Sequence, residues 1–425
     1  MTESARLLRR IAPAEVSRAL RPPVDATTLA AAGEIVERVR AGGEQAVREY
    51  AQRFGERTPD QPLALARAEM RAALDNLDPA ARAVLERTAE RIRAFARAQR
   101  AGITEIDVPI LGGRAGHTVE PVASAGCYAP AGRYPLPSTV LMTAVTARVA
   151  GCERVVVASP GAHPVMLAAG AIAEADAFLA VGGAHAIAAL AHGFGAFARC
   201  DMIVGPGNKW VTAAKQLVVG VSGIDMLAGP SELLVLADDT ADPATVATDL
   251  LAQAEHDTEA GPMLVTTSPG LADAVESALA SQLEALPTRA TAHPALANGF
   301  VCVASTLDEA IAVADAIAPE HLEIITRDPA AVASRLRNAG ALFIGSSSAE
   351  VLGDYGAGPN HTLPTGGSAR FQAGLSVATF LRLRSWMRID DTAAARELVA
   401  DAMALAQIEG LAGHRASAAR RLSPE

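Results

Sequence analysis

Two successive series of short apolar runs constrain the fold of this chain more than any other feature. From about residue 121 onward, runs of four to six mostly apolar or β-branched residues alternate with helical patterns and are bounded by Gly and Pro. The first series lies at 154–158, 177–181, 201–204 and 232–237, and the second at 263–266, 300–303, 322–325 and 341–344. Runs this short are typical of strands buried in a parallel sheet. The sequence therefore predicts an α/β protein with two parallel-sheet units, as an old duplication would leave.

Three segments outside these series have a different character. Residues 27–100 are rich in Ala, Arg and Glu at helical spacing, which predicts an all-helical N-terminal section. Residues 345–374 are rich in Gly and Ser and also contain Pro and Asn, and such long irregular segments are usually functional. A helix is expected at about 391–408, followed by a polar tail that carries His414.

Composition excludes several classes of protein. The 425 residues are 50% hydrophobic and 20% charged, unlike a disordered chain or a coiled coil. The net charge of −10 argues against a general nucleic-acid or anionic-membrane surface. Four scattered cysteines disfavour a thiolate zinc site and, with no export signal at the start, predict a cytoplasmic protein. The uncharged stretch 177–198 is long enough to span a membrane, but its four glycines favour a strand, a glycine turn and a helix.

One glycine turn is a candidate anion site. Neither the P-loop pattern nor the G-x-G-x-x-G fingerprint occurs, so a dinucleotide would have to bind in another way. The segment G-P-G-N at 205–208 follows a predicted strand and precedes a predicted helix, whose N-terminal N–H groups could bind an anion. An ordinary tight turn between a strand and a helix explains the same residues.

The segment Q-A-E-H at 253–256 is a candidate metal site. Asp242 and Pro243 predict the start of a helix, which would place Gln253 and His256 three residues apart on one face. Histidine with oxygen donors suits zinc or a similar divalent metal. A capped surface helix accounts for the pair equally well.

Two further clusters carry acids and histidines. Glu320 and His321 follow a proline at a predicted helix-to-strand junction, where they could share acid–base work or form a solvated turn. The segment 353–361 brings Asp354 and His361 into a glycine-rich region without helical or strand period. Because glycines let backbone approach a ligand closely, a functional loop is favoured there.

Taken together and in this order, these motifs resemble the histidinol dehydrogenase family, whose members carry out the last steps of histidine biosynthesis. The resemblance covers about 122–422 and rests on seven segments: S-T-V-L-M (138–142), G-P-G-N (205–208), I-D-M-x-A-G-P-S-E (224–232), Q-A-E-H (253–256), A-P-E-H-L (318–322), G-D-Y-x-x-G-x-N-H-x-L-P-T (353–365) and G-L-S-V (374–377).

The resemblance implies a role for each matching residue. Glu320 and His321 match the catalytic pair. The positions that match zinc ligands are Gln253, His256, Asp354 and His414. The positions that match the substrate site are Ser231, Gln253, His256, His321, Glu350, Asp354, His361, Glu409 and His414. The positions that match NAD contacts are Tyr128, His185 and Asn208.

The resemblance also implies an architecture. It predicts two incomplete Rossmann-like domains without the usual glycine fingerprint, in a homodimer whose C-terminal tails are exchanged. Glu409 and His414 would then complete the partner's site. We expect an N-terminal arm at 1–24, a helical section at 25–125 that packs with 238–375 as one larger domain, a second domain at 126–237, and the exchanged tail at 376–425.

The implied reaction is a four-electron oxidation of L-histidinol to L-histidine through histidinal, with two NAD molecules reduced in turn. Neutral His321 would act as a base, so activity is expected to rise through the ordinary titration range of histidine. His185 stands where the family usually has glutamine. Residues 126–134 and Gly413 look more like relatives that oxidise other polar alcohols, such as sulfopropanediol dehydrogenase, which leaves such a paralogue as the alternative.

Other residues favour a histidinol enzyme over these alternatives. Glu350 and the pairs Asp354-Tyr355 and Ser231-Glu232 look like the histidinol enzymes. A non-catalytic zinc-dependent binding protein on the same fold is expected to lack Glu320 or His321, and both are present. A purely structural dimeric module would not explain so many polar residues in the loops.

Overall fold

The strands of the chain form three separate sheets. The computed structural model describes residues 6–18, 24–131 and 134–421, and within these ranges there are two six-stranded sheets and one three-stranded sheet. The predicted arm at 1–24 therefore lies partly outside the described residues. No described helix combines the length and the apolar character needed to cross a bilayer.

The first six-stranded sheet, here called the central sheet, is parallel throughout. Its strands, in spatial order, are β1 (Arg9–Ile11), β12 (Phe300–Val303), β11 (Gly261–Thr266), β10 (Glu232–Ala237), β13 (His321–Ile325) and β14 (Ala341–Ile344). The second predicted series of runs supplies four of these strands. The pairing of β1 with β12 was not predicted.

The other six-stranded sheet, here called the glycine-turn sheet, is parallel except at one edge. Its strands, in spatial order, are β2 (Ala64–Ala66), β7 (Ala177–Leu179), β6 (Arg154–Ala158), β5 (Ser124–Tyr128), β8 (Met202–Val204) and β9 (Gly223–Ile224). Only β2 runs antiparallel to its neighbour. The predicted strand, glycine turn and helix within 177–198 are confirmed as β7 and a helix at Gly183–His192.

The two sheets share one topology. In each, the first strand of the unit lies centrally, the next two strands follow on one side, and the last two lie on the other. This is the strand order of a doubly wound fold that stops short of a sixth strand. The prediction of two incomplete Rossmann-like domains is therefore confirmed.

A small antiparallel sheet was not predicted from the sequence. It consists of β15 (Leu381–Ile389), β4 (Gly113–Pro121) and β3 (Ile106–Ile110). Apolar and polar residues alternate in β3 (I-D-V-P-I) and at the start of β15 (L-R-L-R), but not in β4, and most residues of the three strands are at least partly exposed. Because β15 pairs with β4, the C-terminal region is joined to the middle of the chain.

Helices cover both faces of each six-stranded sheet, as expected for parallel strands. The helices are α1 (Ala26–Arg53), α2 (Arg67–Asp75), α3 (Pro79–Ala101), α4 (Pro137–Ala150), α5 (Pro164–Ile172), α6 (Gly183–His192), α7 (Lys209–Val218), α8 (Pro243–Ala254), α9 (Pro269–Ala285), α10 (Arg289–Leu296), α11 (Leu307–Ile317), α12 (Pro329–Ala333), α13 (Glu350–Asp354), α14 (Arg396–Ile408) and α15 (Ala412–Ala419). Short 3₁₀ helices lie at Pro13–Arg18, Ser368–Arg370 and Val377–Phe380.

The N-terminal helices pack differently from the prediction. Helix α1 lies against α6 and α7, while α2 and α3 lie against α5 and α4. The helices of section 25–125 therefore pack mainly on the glycine-turn sheet, where Met70 and buried alanines meet the small side chains of its helices, and α3 also contacts residues 356–358. From the N-terminal arm, β1 instead completes the edge of the central sheet.

Candidate active site

The predicted acid–base pair lies at the amino end of β13, next to the amino end of β10. Helix α11 ends with Ala318 in a left-handed conformation (φ 51°), and Pro319 directs the chain into β13, whose first residue is His321. This is the predicted helix-to-strand junction. The side chains are not solvated, because Glu320 is 6% and His321 3% exposed.

The main chain of Glu232 holds both of these side chains. Its N–H donates to Oε2 of Glu320 at 2.8 Å, and its carbonyl oxygen lies 3.0 Å from Nδ1 of His321. Because a carbonyl can only accept, Nδ1 of His321 carries the hydrogen. The lone pair of the neutral ring is then on Nε2, a buried atom with no partner among the described residues.

Burial sets the protonation of the pair. Burial lowers the pKa of His321 to about 4, although Asp354 acts in the opposite direction. The ring is therefore neutral well below pH 6, and the expected rise of activity through the ordinary range of histidine cannot come from His321. Burial raises the pKa of Glu320 well above that of an ordinary glutamate, and the charges of Glu232 and Asp354 raise it further.

A group of unpaired polar atoms lies beside His321. Ligand atoms of His256, Glu350 and Asp354 lie within 4.8 Å of one another. Nε2 of His256 is 3.7 Å from Oδ2 of Asp354. Gln253 is fully buried with both amide atoms unpaired, and both carboxylate oxygens of Glu350 are also unpaired among the described residues. Buried polar atoms without partners are costly, so this set indicates a place for a bound group.

Zinc suits this set of nitrogen and oxygen donors. Sequence reasoning had assigned Glu350 only to the substrate, whereas the structure brings its carboxylate into the same group. Helix α8 ends at Ala254, so Gln253 lies in its last turn and His256 in the turn that follows, not on one helix face as predicted. His414 lies on α15 and Glu409 directly follows α14. Both are exposed, and neither belongs to this group.

The glycine-rich segment closes the site from one side. Nδ1 of His361 lies 3.1 Å from the carbonyl oxygen of Asp354, and its Nε2 lies 3.2 Å from Oγ1 of Thr139 on α4. Nδ2 of Asn360 donates to the carbonyl of Met142, also on α4. The segment is therefore anchored to the other sheet unit. It is not wholly irregular, since its first part forms α13, where Glu350 and Asp354 are both buried.

Sequence reasoning assigned no role to three carboxyl groups near the pair. The backbone N–H of Glu350 donates to Oε1 of Glu323 on β13 at 2.6 Å. Burial raises the pKa of Glu323 to about 8, and the nearby Asp249 on α8 raises it further. Burial also raises the pKa of Glu232 to about 7. The only sequence signal was an acidic residue inside each apolar run, at 232 and 323.

The predicted NAD residues lie at the carboxyl edge of the glycine-turn sheet. Tyr128 ends β5, and its hydroxyl accepts a hydrogen bond from the N–H of Gly183 at the start of α6. Asn208 caps α7 through hydrogen bonds from Trp210 and Val211.

His185 has a partner within the chain. Only 1% of His185 is exposed, its Nε2 is 2.9 Å from Oε2 of Glu56, and its ring lies near those of Tyr50 and Phe54. The other oxygen of Glu56 accepts from the N–H of Gly182. The side chain of His185 therefore holds the start of α6, and sequence reasoning had not identified Glu56.

A buried ion pair holds the turn at 205–208. Lys215 on α7 pairs with Asp225 and donates to the carbonyl of Gly205, whose N–H donates to Asp225. Gly205 has φ +119°, and a Cβ there would lie 2.0 Å from the carbonyl oxygen of Tyr128. Both polar groups of Gly205 are thus fixed, and only glycine fits between the two strand ends.

Comparison with known proteins agrees with this geometry. The family model described as "Histidinol dehydrogenase" matches residues 21–422. Histidinol dehydrogenase from Cereibacter sphaeroides is 46% identical over 94% of this chain and 92% of that protein, and the one from Parasynechococcus marenigrum is 45% identical over 92% and 90%. The crystal structure of histidinol dehydrogenase from Elizabethkingia anophelis superposes with a TM-score of 0.91 at 28% identity and covers 98% of both chains. With its family model matched over nearly the whole length and its fold shared, this chain belongs to the histidinol dehydrogenase family.

Proposed function

We propose that this chain oxidises L-histidinol to L-histidine with two molecules of NAD and one zinc ion per subunit. The observation that carries the proposal is the cluster of His256, Glu350 and Asp354, whose ligand atoms lie within 4.8 Å of one another, beside the buried, unpaired Nε2 of His321. The names of the relatives at 45% and 46% identity support histidinol rather than another polar alcohol as the substrate.

His321 is proposed as the base of the first oxidation. Its Nδ1 is held by the carbonyl of Glu232, so Nε2 is free to accept the hydroxyl proton of the alcohol. The low pKa of about 4 keeps the ring neutral before the reaction. When bound, zinc would hold the amino and imidazole nitrogens of the substrate, and NAD would accept the hydride.

Glu320 is proposed as the base of the second oxidation, which needs water. Ionised Glu320 would remove a proton from the water that hydrates the aldehyde, and His321 would again accept a hydroxyl proton. Its Oε2 is fixed by the N–H of Glu232, which orients the carboxylate. Burial of the pair keeps bulk water away from the reacting carbon.

The remaining residues are assigned to binding. Gln253, His256 and Asp354 would hold the zinc together with His414, and Ser231, Glu350, His361 and Glu409 would surround the substrate. Tyr128 and Asn208 would contact NAD at the carboxyl edge of the glycine-turn sheet. His185 would hold the start of α6 in position. A carboxyl-edge location is where doubly wound sheets bind dinucleotides.

The exchanged dimer is proposed from the surface of the C-terminal region. Helix α14 and the residues around it expose large apolar side chains, including Leu405 (59%), Ile408 (81%) and Leu411. Exposed apolar side chains grouped in this way are typical of interaction surfaces. They support a second copy of the chain as the partner, with Glu409 and His414 entering its site. The cytoplasm is proposed as the location, supported by four buried free cysteines.

The number of NADH molecules formed per L-histidinol tests this function. We expect two, with histidine as the product, and no turnover of sulfopropanediol. Formation of one NADH, or preference for sulfopropanediol, would contradict the proposal. The His321→Asn variant controls for contaminating dehydrogenases.

A further inference from the structure

Helix α13 carries two residues of the proposed zinc and substrate site but has no cap of its own. Its N-cap residue is Ala349, whose side chain makes no capping hydrogen bond. From α13, Oε1 of Glu350 lies 3.5 Å from Nδ1 of His321, and Oδ1 of Asp354 lies 3.9 Å from Nε2 of the same ring. A helix of five residues has little stability of its own, so other elements must hold it in place.

A buried acid on β13 supplies the missing acceptor. Oε1 of Glu323 accepts the N–H of Glu350, the first residue of α13, at 2.6 Å. Side chains two residues apart point to the same side of a strand, so Glu323 lies on the same face of β13 as His321. The strand that carries the proposed base therefore also holds the start of the helix that carries Glu350 and Asp354.

Glu323 is also joined to helix α8. Its side chain is hydrogen-bonded to that of Asp249, which lies four residues before Gln253 and so on the same face of α8. Oε2 of Glu323 has no N–H or hydroxyl donor among the described residues, as expected for an oxygen that carries a proton and donates it to Asp249. Burial raises the pKa of Glu323 to about 8, which agrees with a neutral acid at pH 7.

The surroundings of Glu323 argue against a role in packing alone. Only 2% of Glu323 is exposed, and its neighbours along β13, Leu322 and Ile324, are apolar. A carboxyl group in such a place is unfavourable unless its hydrogen bonds are made, and an apolar residue would fill the same space without that penalty. Both helices that Glu323 joins carry residues of the proposed site, which accounts for a polar side chain at this position.

We propose, on the basis of the function above, that Glu323 is a positioning residue that holds α13 and α8 against β13. It thereby fixes Glu350, Asp354 and Gln253 around the zinc and the substrate. Glu323 acts through these residues and is not itself a catalytic residue.

Glu323→Met tests the proposal, because methionine has a similar volume but offers only a weak acceptor for a hydrogen bond. We expect the dissociation constant for zinc, measured by competition with a chelator, to rise roughly ten- to hundredfold. At saturating zinc, kcat for histidinol should still fall about tenfold, since both carboxylates of α13 would shift relative to His321. KM for NAD should stay near that of wild type, because Tyr128 and Asn208 belong to the glycine-turn sheet.

Glu323→Gln is the conservative variant. Its amide oxygen can accept the N–H of Glu350 and its NH₂ group can donate to Asp249, so zinc affinity and kcat should stay within about threefold of wild type. A zinc dissociation constant in Glu323→Met that equals that of wild type would overturn the proposal. Equal losses in Glu323→Gln and Glu323→Met would also overturn it, because the hydrogen bonds would then not be the cause.

If Glu323→Met does not fold, Glu323→Asp replaces it. Aspartate keeps the buried acid, but its shorter side chain withdraws the acceptor from the N–H of Glu350. The dissociation constant for zinc should rise at least about fivefold, and an unchanged value would overturn the proposal.

A matched control separates positioning from stability. Glu276 on α9 is also buried and accepts a backbone N–H, from Leu7, but lies outside the site. Glu276→Met should lower the melting temperature without changing zinc affinity, and an equal loss of zinc affinity in both methionine variants would overturn the proposal.

Zinc binding is measured without turnover, so the two proposals can fail separately. A wild type that does not form two NADH per L-histidinol, while Glu323→Met still weakens zinc binding, removes only the proposed function. A wild type that forms two NADH, with zinc affinity unchanged in Glu323→Met, removes only the positioning role.

Discussion

The central sheet and the glycine-turn sheet share a strand order but use opposite edges. In the glycine-turn sheet, Tyr128, the turn after β8 and the start of α6 all lie at the carboxyl ends of the strands, as the rule for doubly wound folds predicts. In the central sheet, Glu232, Glu320 and His321 lie at the amino ends of β10 and β13.

The two edges also offer different chemistry. The carboxyl edge consists of glycine turns and a capped helix, where the N–H groups of Gly182, Gly183, Gly205 and Trp210 and the Lys215–Asp225 ion pair all have partners within the chain. The amino edge presents buried carboxyl and imidazole groups with shifted pKa values. One topology thus supplies a binding edge in one unit and an acid–base edge in the other. Variants at the two edges should therefore change different kinetic constants.

The largest expected effect is at the amino edge. His321→Asn should lower kcat for both oxidations by roughly two to four orders of magnitude, because it removes the base. Glu320→Gln should lower mainly the oxidation of histidinal, since only that half needs water. Single-turnover kinetics with histidinol and with histidinal separate the steps. Equal, small losses in both halves would break the assignment of the two bases.

Removal of the metal should have the next largest effect. We expect about one zinc per chain, and chelation should lower activity by roughly a hundredfold. Asp354→Asn should lower the zinc content measured by elemental analysis, while Asp273→Asn, which changes an exposed carboxylate on α9, should not. Full activity in a metal-free preparation would contradict the zinc site.

Mixing two inactive variants should restore activity if the tails are exchanged. His414→Ala and His321→Asn are each expected to be nearly inactive. After random reassembly, about half of the dimers carry one intact site, so about a quarter of wild-type activity should return. Native mass spectrometry checks that heterodimers form. Heterodimers without activity would show that each tail serves its own chain.

At the carboxyl edge, Asn208→Ala should act on cofactor binding rather than on chemistry. Loss of the cap of α7 costs about 1 kcal/mol, and we expect KM for NAD to rise about fivefold with kcat nearly unchanged. Asp242→Ala removes a similar cap from α8, outside the NAD edge, and should lower only stability. A fall in kcat with unchanged KM for NAD in Asn208→Ala would contradict the assignment of cofactor binding to the carboxyl edge.

The smallest effect is on stability as a function of pH. The pKa values of Glu232 and Glu323 are raised to about 7 and about 8, so both groups favour the folded state while protonated and lose that contribution as pH rises through these values. Metal-free protein should therefore melt several degrees lower at pH 8.5 than at pH 6. Glu323→Gln should flatten this dependence in a thermal denaturation series. If the melting temperature of Glu323→Gln falls with pH as steeply as that of the wild type, Glu323 is not the source of the pH dependence.

The sequence predicted those parts of the molecule that depend on local pattern. Four of the eight runs coincide with strands to the residue, and the junction before His321 follows from Pro319, because proline cannot continue a helix. It did not predict β3, β4 and β15, because β4 (G-R-A-G-H-T-V-E-P) has no regular alternation and its pairing with β15 joins segments far apart in the sequence. It also missed Glu56 and the group around Glu323, since a lone acid in an apolar run does not reveal its partner. His414 was identified only by resemblance to the family.

The pairing of β1 with β12 has a consequence for how the chain is made. Residues 9–11 pair with residues 300–302, so this edge strand of the central sheet cannot form until most of the polypeptide has left the ribosome. All six strands of the glycine-turn sheet lie within residues 64–224, so its strand pairing can form earlier during translation, although Leu375, Val377 and Phe380 join its core later. A segment synthesised early is thus fixed late. Its long sequence separation adds a slow, entropically costly closure to the end of folding.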